Sequence, residues 1–571
     1  MSRKNSKTGV SRRDFLVQTA TGTGAAALIS LGADKVLAQG RAPAKWDMDA
    51  DVAILGFGGA GACAAIEAHD AGAKVVIFEK QPKETHYSNT RMAGGIFHSP
   101  DPSGDKGALK EYAKAMFSGE NIPSKFEGEQ PEVSDGLADA WVQYCPENVP
   151  FLRKLDPDFK VVASGGAAFP QFPGAHQANY RTYFATYTGR ADLATPTKDL
   201  PRTQKMNGEA FFACLQHGVE TRGIQVLYGT PAKALLTGNN GEVIGVVAEQ
   251  GGREISCQAK RAVVITTGGY EYSKAMRQAF LEGPGVDGWA FYGTPENTGD
   301  GIAMAIKVGA GLTKVGKAAS RLIMAVPIRR HGLRVGVITD SVGRPNSMVV
   351  DNFGNRYIAE TLITDDPSRY FSYKEAVKFD IVKLIYPRVP SWMIFDETFR
   401  TKVTITTLGV STAGFGIVPW TKDNSDAINR GWIMRADTVE ELAAKIKANP
   451  ENRQMMDPTS LAKAVARFNE LSSKGKDEDL NRRPETLGPI EKPPYYALPL
   501  YPGGPNTKGG IAANAKREVL DWEGRPIPRL YTAGEISSAL KFVYQAGGNL
   551  SECIVMGRIA GKNAAAEKPW A

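Results

Sequence analysis

Asp51-Val-Ala-Ile-Leu55 runs directly into Gly56-Phe-Gly58-Gly-Ala60-Gly61, and Lys74-Val-Val-Ile-Phe78 ends in Glu79-Lys80. The first five residues form a short apolar run closed by glycine, the signature of a buried strand. A run of small residues, Ala62 to Gly72, predicts a helix, and 74–78 a second strand. The unit is therefore βαβ, with an acid 18 residues after Gly61 at the end of the second strand. That context gives the glycines specific work. Gly56 permits the tight turn, Gly58 lets backbone approach a pyrophosphate, and Gly61 lets helix pack on strand. Ala60 and its neighbours offer helix N-terminal N–H groups to phosphate. The Glu79 carboxylate is placed to accept from a ribose diol and would repel a 2′-phosphate, which disfavours NADP; Lys80 flanks it.

Further strands are expected at 224–228 and 242–249, joined by the Gly-Asn-Asn-Gly turn at 238–241, and at 262–266 and 530–532. Helices are expected over 301–310, 438–448, 460–473 and 551–566. The region 317–494 is richer in Pro and basic residues, and its charged stretch 474–485 reads as a solvated loop. No internal repeat is present. The expected organisation is a leader (1–38), a dinucleotide-binding α/β domain in two parts (46–316 and 495–567), and an inserted module (317–494). With 42% hydrophobic and 23% charged residues the 571-residue chain is globular in composition. Half of its formal charge of +8 lies in the leader, which holds six basic and two acidic residues. The +4 left for the remainder gives no basis for nucleic-acid binding. No stretch after the leader reaches 18 apolar residues, so no membrane span is expected. Five scattered cysteines make no disulfide framework, no CxxCH haem site and no metal-ligand spacing, and read as buried packing residues.

Five motifs extend the reading: Ser88-Asn89-Thr90-Arg-Met-Ala-Gly94-Gly95, Thr267-Gly268-Gly269, Asn297-Thr-Gly-Asp300-Gly, Leu530-Tyr-Thr-Ala-Gly-Glu535, and Gly547-Gly548-Asn549-Leu550. Together they resemble the fumarate reductase/succinate dehydrogenase flavoprotein family, which includes 3-ketosteroid dehydrogenases. The resemblance implies a Rossmann-like FAD-binding domain split by an α+β capping domain. It implies FAD with Glu79 on the adenosine ribose, Glu535 near the ribityl and pyrophosphate region, and the 547–550 turn against the isoalloxazine ring. Members with covalent FAD attach it through a His near the position of Ser88. None lies between His86 and His98, so FAD is expected to be non-covalent.

The family transfers hydride between flavin N5 and a carbon of an activated C–C bond. Fumarate reductases use a cap arginine, a His before Thr-x-Gly-Gly and an Arg before Gly-Asn. Here Thr364, Asn506 and Gln545 or Ala546 stand at those places, which argues against a dicarboxylate substrate. The turn resembles the Tyr-(x)3-Gly arrangement of ketosteroid dehydrogenases, which implies Tyr544 and Gly548 holding a ketone oxygen. Polarising that oxygen activates the neighbouring C–H or enone. The cap-side base is left among Tyr370, Tyr373 and Asp365. The expected partners are a carbonyl-containing small molecule and an external electron donor or acceptor, a cytochrome c or a quinone-linked protein. A reductase of a small unsaturated acid and a non-catalytic flavin electron carrier remain as alternatives. The aromatic stretch 164–187 reads as core packing or a pocket wall, and Arg329-Arg330-His331 as a solvated face or an anion clamp.

The leader combines Ser11-Arg12-Arg13-Asp14-Phe15-Leu16, a weakly apolar stretch Ala20–Leu31, and Val36-Leu37-Ala38. It resembles a twin-arginine export signal, which implies a periplasmic protein exported folded with its cofactor. Arg12→Lys combined with Arg13→Lys keeps the charge but not the paired guanidinium geometry. The double variant should leave folded, flavin-loaded protein in the cytoplasm; an unchanged periplasmic fraction on cell fractionation would refute the export reading.

Overall fold

A computed structural model describes residues 42–119, 135–190, 207–364, 370–406, 420–540 and 544–570. The leader and Asp365 lie outside them. β1 (Met48–Leu55) feeds helix α1 (Gly59–Asp70), which returns to β2 (Val75–Phe78). β3 (Gln225–Leu227) and β4 (Arg253–Ile265) complete the parallel core. β1 lies between β2 and β4, Leu55 facing Phe78 on one side and Ile265 on the other. Pro526–Thr532 adds to β4 in parallel, and the antiparallel hairpin 232–250 folds back on it. The strands are apolar because both faces of this sheet are covered. Val52 and Ile54 face one core cluster, Ala53 and Leu55 another. Helix α2 (Gly548–Ala566) packs along α1, where Gly557 and Gly561 allow backbone contact: a Cβ at Gly561 would lie 2.1 Å from the Ala64 carbonyl oxygen.

The expected short strands and helices occur, most of them close to their expected bounds, but β4 begins at Arg253, ahead of the expected 262, and the 530–532 strand begins at Pro526. Two long strands exceed anything expected. β5 (Leu312–Arg330) and β6 (Tyr495–Ile511) pair antiparallel from Leu312↔Ile511 to Met324↔Leu500. They carry a seven-stranded sheet with Ser347–Val350, Ser391–Asp396 and three shorter strands. The expected junction at 316/317 falls within β5 and that at 494/495 at the first residue of β6, so the inserted module joins through strands of this sheet. A small sheet of 96–98, 160–165 and 182–187 flanks the first domain.

The stretch 474–485 departs from the solvated loop expected. Lys474 and Glu478 are exposed, but Asp477 and Arg482 are each 1% exposed. Arg356 bridges Glu360 and Asp477 at 2.9 Å each, and Arg482 reaches Glu360 at 3.2 Å and the Ser347 carbonyl at 2.6 Å. Two arginines around two buried acids satisfy charges that burial alone would make costly, and they fix the 355–361 segment to the 477–482 turn within the inserted module. Arg329 pairs with the exposed Asp287 at 2.8 Å, and Arg330 and His331 lie on the same outer turn. That is the solvated face of the two readings. Four cysteines are buried and Cys553 is half-buried; none is in a disulfide.

At Gly61 a Cβ would lie 2.1 Å from the Gly56 carbonyl oxygen and 2.8 Å from Thr266 Oγ1. Both neighbours belong to the rigid turn and sheet. Gly61→Ala should therefore cost about 1–3 kcal/mol or more, read as a lowered midpoint in urea or thermal unfolding; an unchanged midpoint would contradict the packing role.

Candidate active site

A single cleft connects the βαβ turn to the inserted module. Its atom-free space, counted with the open mouth, is about 1930 Å³. The walls at one end are Gly56 to Ala60, Glu79 and Lys80; at the other they are Tyr370, Tyr544, Arg321 and Asn506. Ser88, Asn89, Thr90, Gly94, Gly268, Asp300, Glu535, Asn549 and Leu550 line the stretch between.

The Glu79 end is built by backbone. Gly56 has φ +99°, open to glycine at little cost. Glu79, 5% exposed, accepts from the Phe57 and Gln81 amides, each at 2.8 Å. Burial pushes its carboxyl up, and the two amides oppose that shift. His86 lies 3.7 Å away, packed against Phe57, Phe212 and Tyr228. Burial lowers it to about 3, so it is neutral. It does not line the cleft. Lys80 binds Asp300 and Thr298 at 2.8 Å each, closing this end with an ion pair. Helix α1 begins at a glycine N-cap that supplies no side-chain acceptor, and Thr90 Oγ1 takes the Gly59 amide at 2.9 Å.

In the middle, Glu535 Oε2 accepts from Asn89 (3.0 Å) and Asn297 (3.2 Å). Its Oε1 lies beside the Glu271 carboxyl, while Ser88 Oγ and Thr267 Oγ1 are buried without a partner. Burial and the adjacent Glu271 push the Glu535 carboxyl well above the usual range. Glu271 accepts from the Thr507 amide at 3.0 Å. Gly269 does not line the cleft; a Cβ there would lie 2.2 Å from Glu535 Oε1 and 2.3 Å from Thr507 Oγ1, so it makes room for these groups. Gly95 likewise serves packing, its missing Cβ facing the Asn207 backbone at 2.4 Å.

Unpartnered hydroxyls in mid-cleft, a buried acid at the end of β2 and a glycine-capped helix start fit an adenine dinucleotide carrying a ribityl chain. FAD would lie with Glu79 at its adenosine ribose and Glu535 at its ribityl side.

At the far end the 544–549 turn is held from behind. Gln545 receives the Tyr112 hydroxyl at 2.6 Å and donates to Gly166 O at 3.0 Å, so its side chain points away from the cleft. His98, fully buried, makes a 3.0 Å contact through Nε2 with the Ala546 carbonyl and a 2.6 Å one through Nδ1 with the Tyr180 hydroxyl. Burial lowers it to about 4; as a neutral ring it donates from Nε2 and accepts at Nδ1. Tyr544 is 9% exposed and meets Tyr370 edge to face with ring centres 4.6 Å apart. Gly548 departs from expectation. Its amide donates to the Gln545 carbonyl at 2.9 Å and it does not line the cleft, so the turn itself uses the donor expected for a ketone. Gly547 lines the cleft instead. Tyr373 packs on Trp289 away from the cleft, leaving Tyr370 as the cap-side candidate among the described residues. Of the aromatic stretch 164–187, Phe169, Phe172 and Tyr180 are core, and only Phe184 reaches the cleft.

Two residues were not anticipated. Arg321, 1% exposed on β5, lines the cleft with its Nη1 2.7 Å from Asp340. Its Nε makes no hydrogen bond. Lys508 on β6 is buried, bonding Ser538, Asn549 and Glu552, with its ammonium 4.8 Å from the Tyr544 ring centre. Burial lowers it. Lys508 sits inside Thr507-Lys-Gly-Gly510, a motif visible in the sequence; Arg321 had no signal beyond being one basic residue in a basic segment.

Removing the Glu79 carboxylate orphans two buried amides as well as a ribose ligand. Glu79→Ala should weaken FAD retention strongly and Glu79→Gln, which keeps one acceptor, less so, as measured by flavin-to-protein ratio after dialysis. Acid precipitation of the wild type should release all flavin, consistent with serine at position 88; flavin left on the denatured chain would contradict non-covalent binding.

The chain matches the FAD binding domain family over residues 51–550. It is 25% identical over 516 residues to the NADH:fumarate oxidoreductase of Klebsiella pneumoniae, covering 90% of this chain and 47% of that protein. It thus spans about half the length of that relative. It is 25% identical over 593 residues to the 3-oxosteroid 1-dehydrogenase of Mycobacterium tuberculosis, covering 89% of this chain and 97% of that one. Its fold is similar to that of the 3-ketosteroid Δ1-dehydrogenase of Sterolibacterium denitrificans solved with 1,4-androstadiene-3,17-dione. The TM-score is 0.71 at 23% identity, over 91% of this chain and 99% of that one. The split nucleotide sheet, the glycine turn and a match over most of its length make this chain a member of the FAD-binding flavoprotein family.

Proposed function

We propose that this FAD-dependent oxidoreductase of carbon–carbon bonds acts on the bond beside a carbonyl group, dehydrogenating a ketone or reducing the matching enone. The observation that carries this is Tyr544, held at the flavin-side turn and met edge-on by Tyr370 at 4.6 Å. When bound, FAD supplies the hydride acceptor or donor. The Tyr544 hydroxyl donates to the carbonyl oxygen, where negative charge grows in the transition state. The nearby Lys508 ammonium favours that charge. Tyr370 faces the same space from the inserted module and handles the proton on the adjacent carbon. Phe184, Ile338 and Met92 line the cleft and keep water from the reacting carbons. Export through the leader would place the reaction in the periplasm. There a cytochrome c or quinone-linked protein would exchange electrons with it.

A second reading rests on Arg321. Thr364, Asn506 and Gln545 remove three polar ligands of a dicarboxylate, but a buried guanidinium in the cleft supplies one cation. One such group suits a substrate with a single carboxylate, such as a small unsaturated acid.

Tyr544→Phe should lower turnover of a carbonyl substrate by about 10²–10³, or about 2–4 kcal/mol at the transition state. Flavin content should stay unchanged, as should flavin reoxidation by a one-electron acceptor. A stopped-flow comparison of the two half-reactions checks this; rapid reduction of a small unsaturated monocarboxylate by the wild type, abolished by Arg321→Gln, would move the assignment to the second reading.

A further inference from the structure

The segment after Tyr373–Ala376 ends in a turn that exposes Ile381 (80%), Val382 (86%) and Leu384 (70%), with Phe379 44% exposed beside them. Asp380 holds this turn from inside. Its carboxylate accepts from the Val382 and Lys383 amides at 2.9 and 2.8 Å, its amide donates to Ile385 O, and its carbonyl accepts from Leu384 N. Leu384 sits at φ +54°, a conformation that asparagine or glycine would adopt at lower cost. Neither local geometry nor core packing accounts for three aliphatic side chains here. Basic groups ring the tip: Lys378 and Lys383 are exposed, Arg388 lies at its base, and exposed Arg453 reaches the Tyr386 carbonyl. Glu375 and Asp380 offset part of this charge through Lys378, Arg388 and Lys383. Asp351 and Asp457 lie in the hollow behind the tip, shared with Lys383 and Arg388.

We infer that this tip docks the protein on an anionic lipid bilayer, the aliphatic side chains entering the acyl boundary while the lysines meet the headgroups. Three features select a bilayer over a protein partner. The tip is aliphatic, whereas binding hot spots in protein interfaces favour Trp, Tyr and Arg over Leu and Val. Four side chains within six residues expose a few hundred Å² at most, short of the about 800 Å² per partner of a stable protein interface. Lysine, depleted in protein interfaces, suits a lipid surface because its alkyl stem lies along apolar neighbours while the ammonium reaches the phosphates. Among the described residues no helix is long and apolar enough to span a membrane. The contact is therefore peripheral. It does not depend on the substrate assignment above.

The test is co-sedimentation of the full-length, FAD-loaded protein with vesicles of phosphatidylcholine containing phosphatidylglycerol, and with pure phosphatidylcholine. Wild type should partition to the phosphatidylglycerol vesicles, and hydrogen exchange should slow in the amides of 379–386 when they are added. The combined variant Ile381→Ser, Val382→Ser, Leu384→Ser should bind at least tenfold more weakly with flavin content and thermal midpoint unchanged. Lys378→Glu with Lys383→Glu should remove the preference for phosphatidylglycerol. Wild type left in the supernatant, no protection at 379–386, or equal sedimentation of the triple serine variant would each overturn the inference. So would a wild-type dimer in solution that the serine substitutions dissociate, which would assign the tip to self-association.

Discussion

The pairing of β5 with β6 is the constraint on which the cleft depends. Nine register pairs tie 312–324 to 500–511. One end of the ladder lies beside the nucleotide-binding sheet, where the 509–511 backbone meets Ile536 and the 311–314 strand. The other carries Ser391–Asp396 and the inserted module. Arg321, Asn506 and Lys508 occupy the middle. A cleft bridging two modules needs its walls held in register, and hydrogen-bonded strands do this more firmly than loops. The price of that rigidity is close packing: Gly503 and Gly504 have backbone carbonyls within 2 Å of where a Cβ would sit.

Buried charge is distributed along the same frame. In the inserted module, Arg356 and Arg482 surround Glu360 and Asp477, a closed network that leaves the chain fixed in shape. In the cleft, Ser88 Oγ, Thr267 Oγ1 and Arg321 Nε are buried without a partner. Unpaired buried polar groups are destabilising unless a ligand completes them.

The turn 544–549 shows how second-layer groups decide function. Tyr112, His98 and Tyr180 fix Gln545 and Ala546 from behind. With Gln545 drawn away and the Gly548 amide engaged, Tyr544 is the side chain that this turn presents beside Tyr370. A family pattern had paired Tyr544 with Gly548, but a glycine's role depends on where its N–H points, and here it closes the turn.

The nucleotide half was legible in the sequence because its signals are local. A strand, a glycine turn, a helix and an acid at fixed spacing define Gly56, Gly58, Gly61 and Glu79, since backbone close approach allows no substitute for glycine at those positions. The long ladder was not legible. Lys314, Lys317, Arg329 and Arg330 make 312–330 look polar and loop-like, and only pairing with 495–511 makes it a strand with a buried arginine. Asp477 and Arg482 misled for the same reason: a charged stretch reads as solvated until partners from distant segments, Arg356 and Glu360, bury it. Sequence by itself determined the fold class and the cofactor, because the glycine turn and the acid after it are specified by short-range backbone contacts. Tertiary structure alone decided which side chains meet at the end of the cleft away from Glu79, because Arg321, Tyr370 and Tyr544 come from separate segments whose orientation no local pattern specifies.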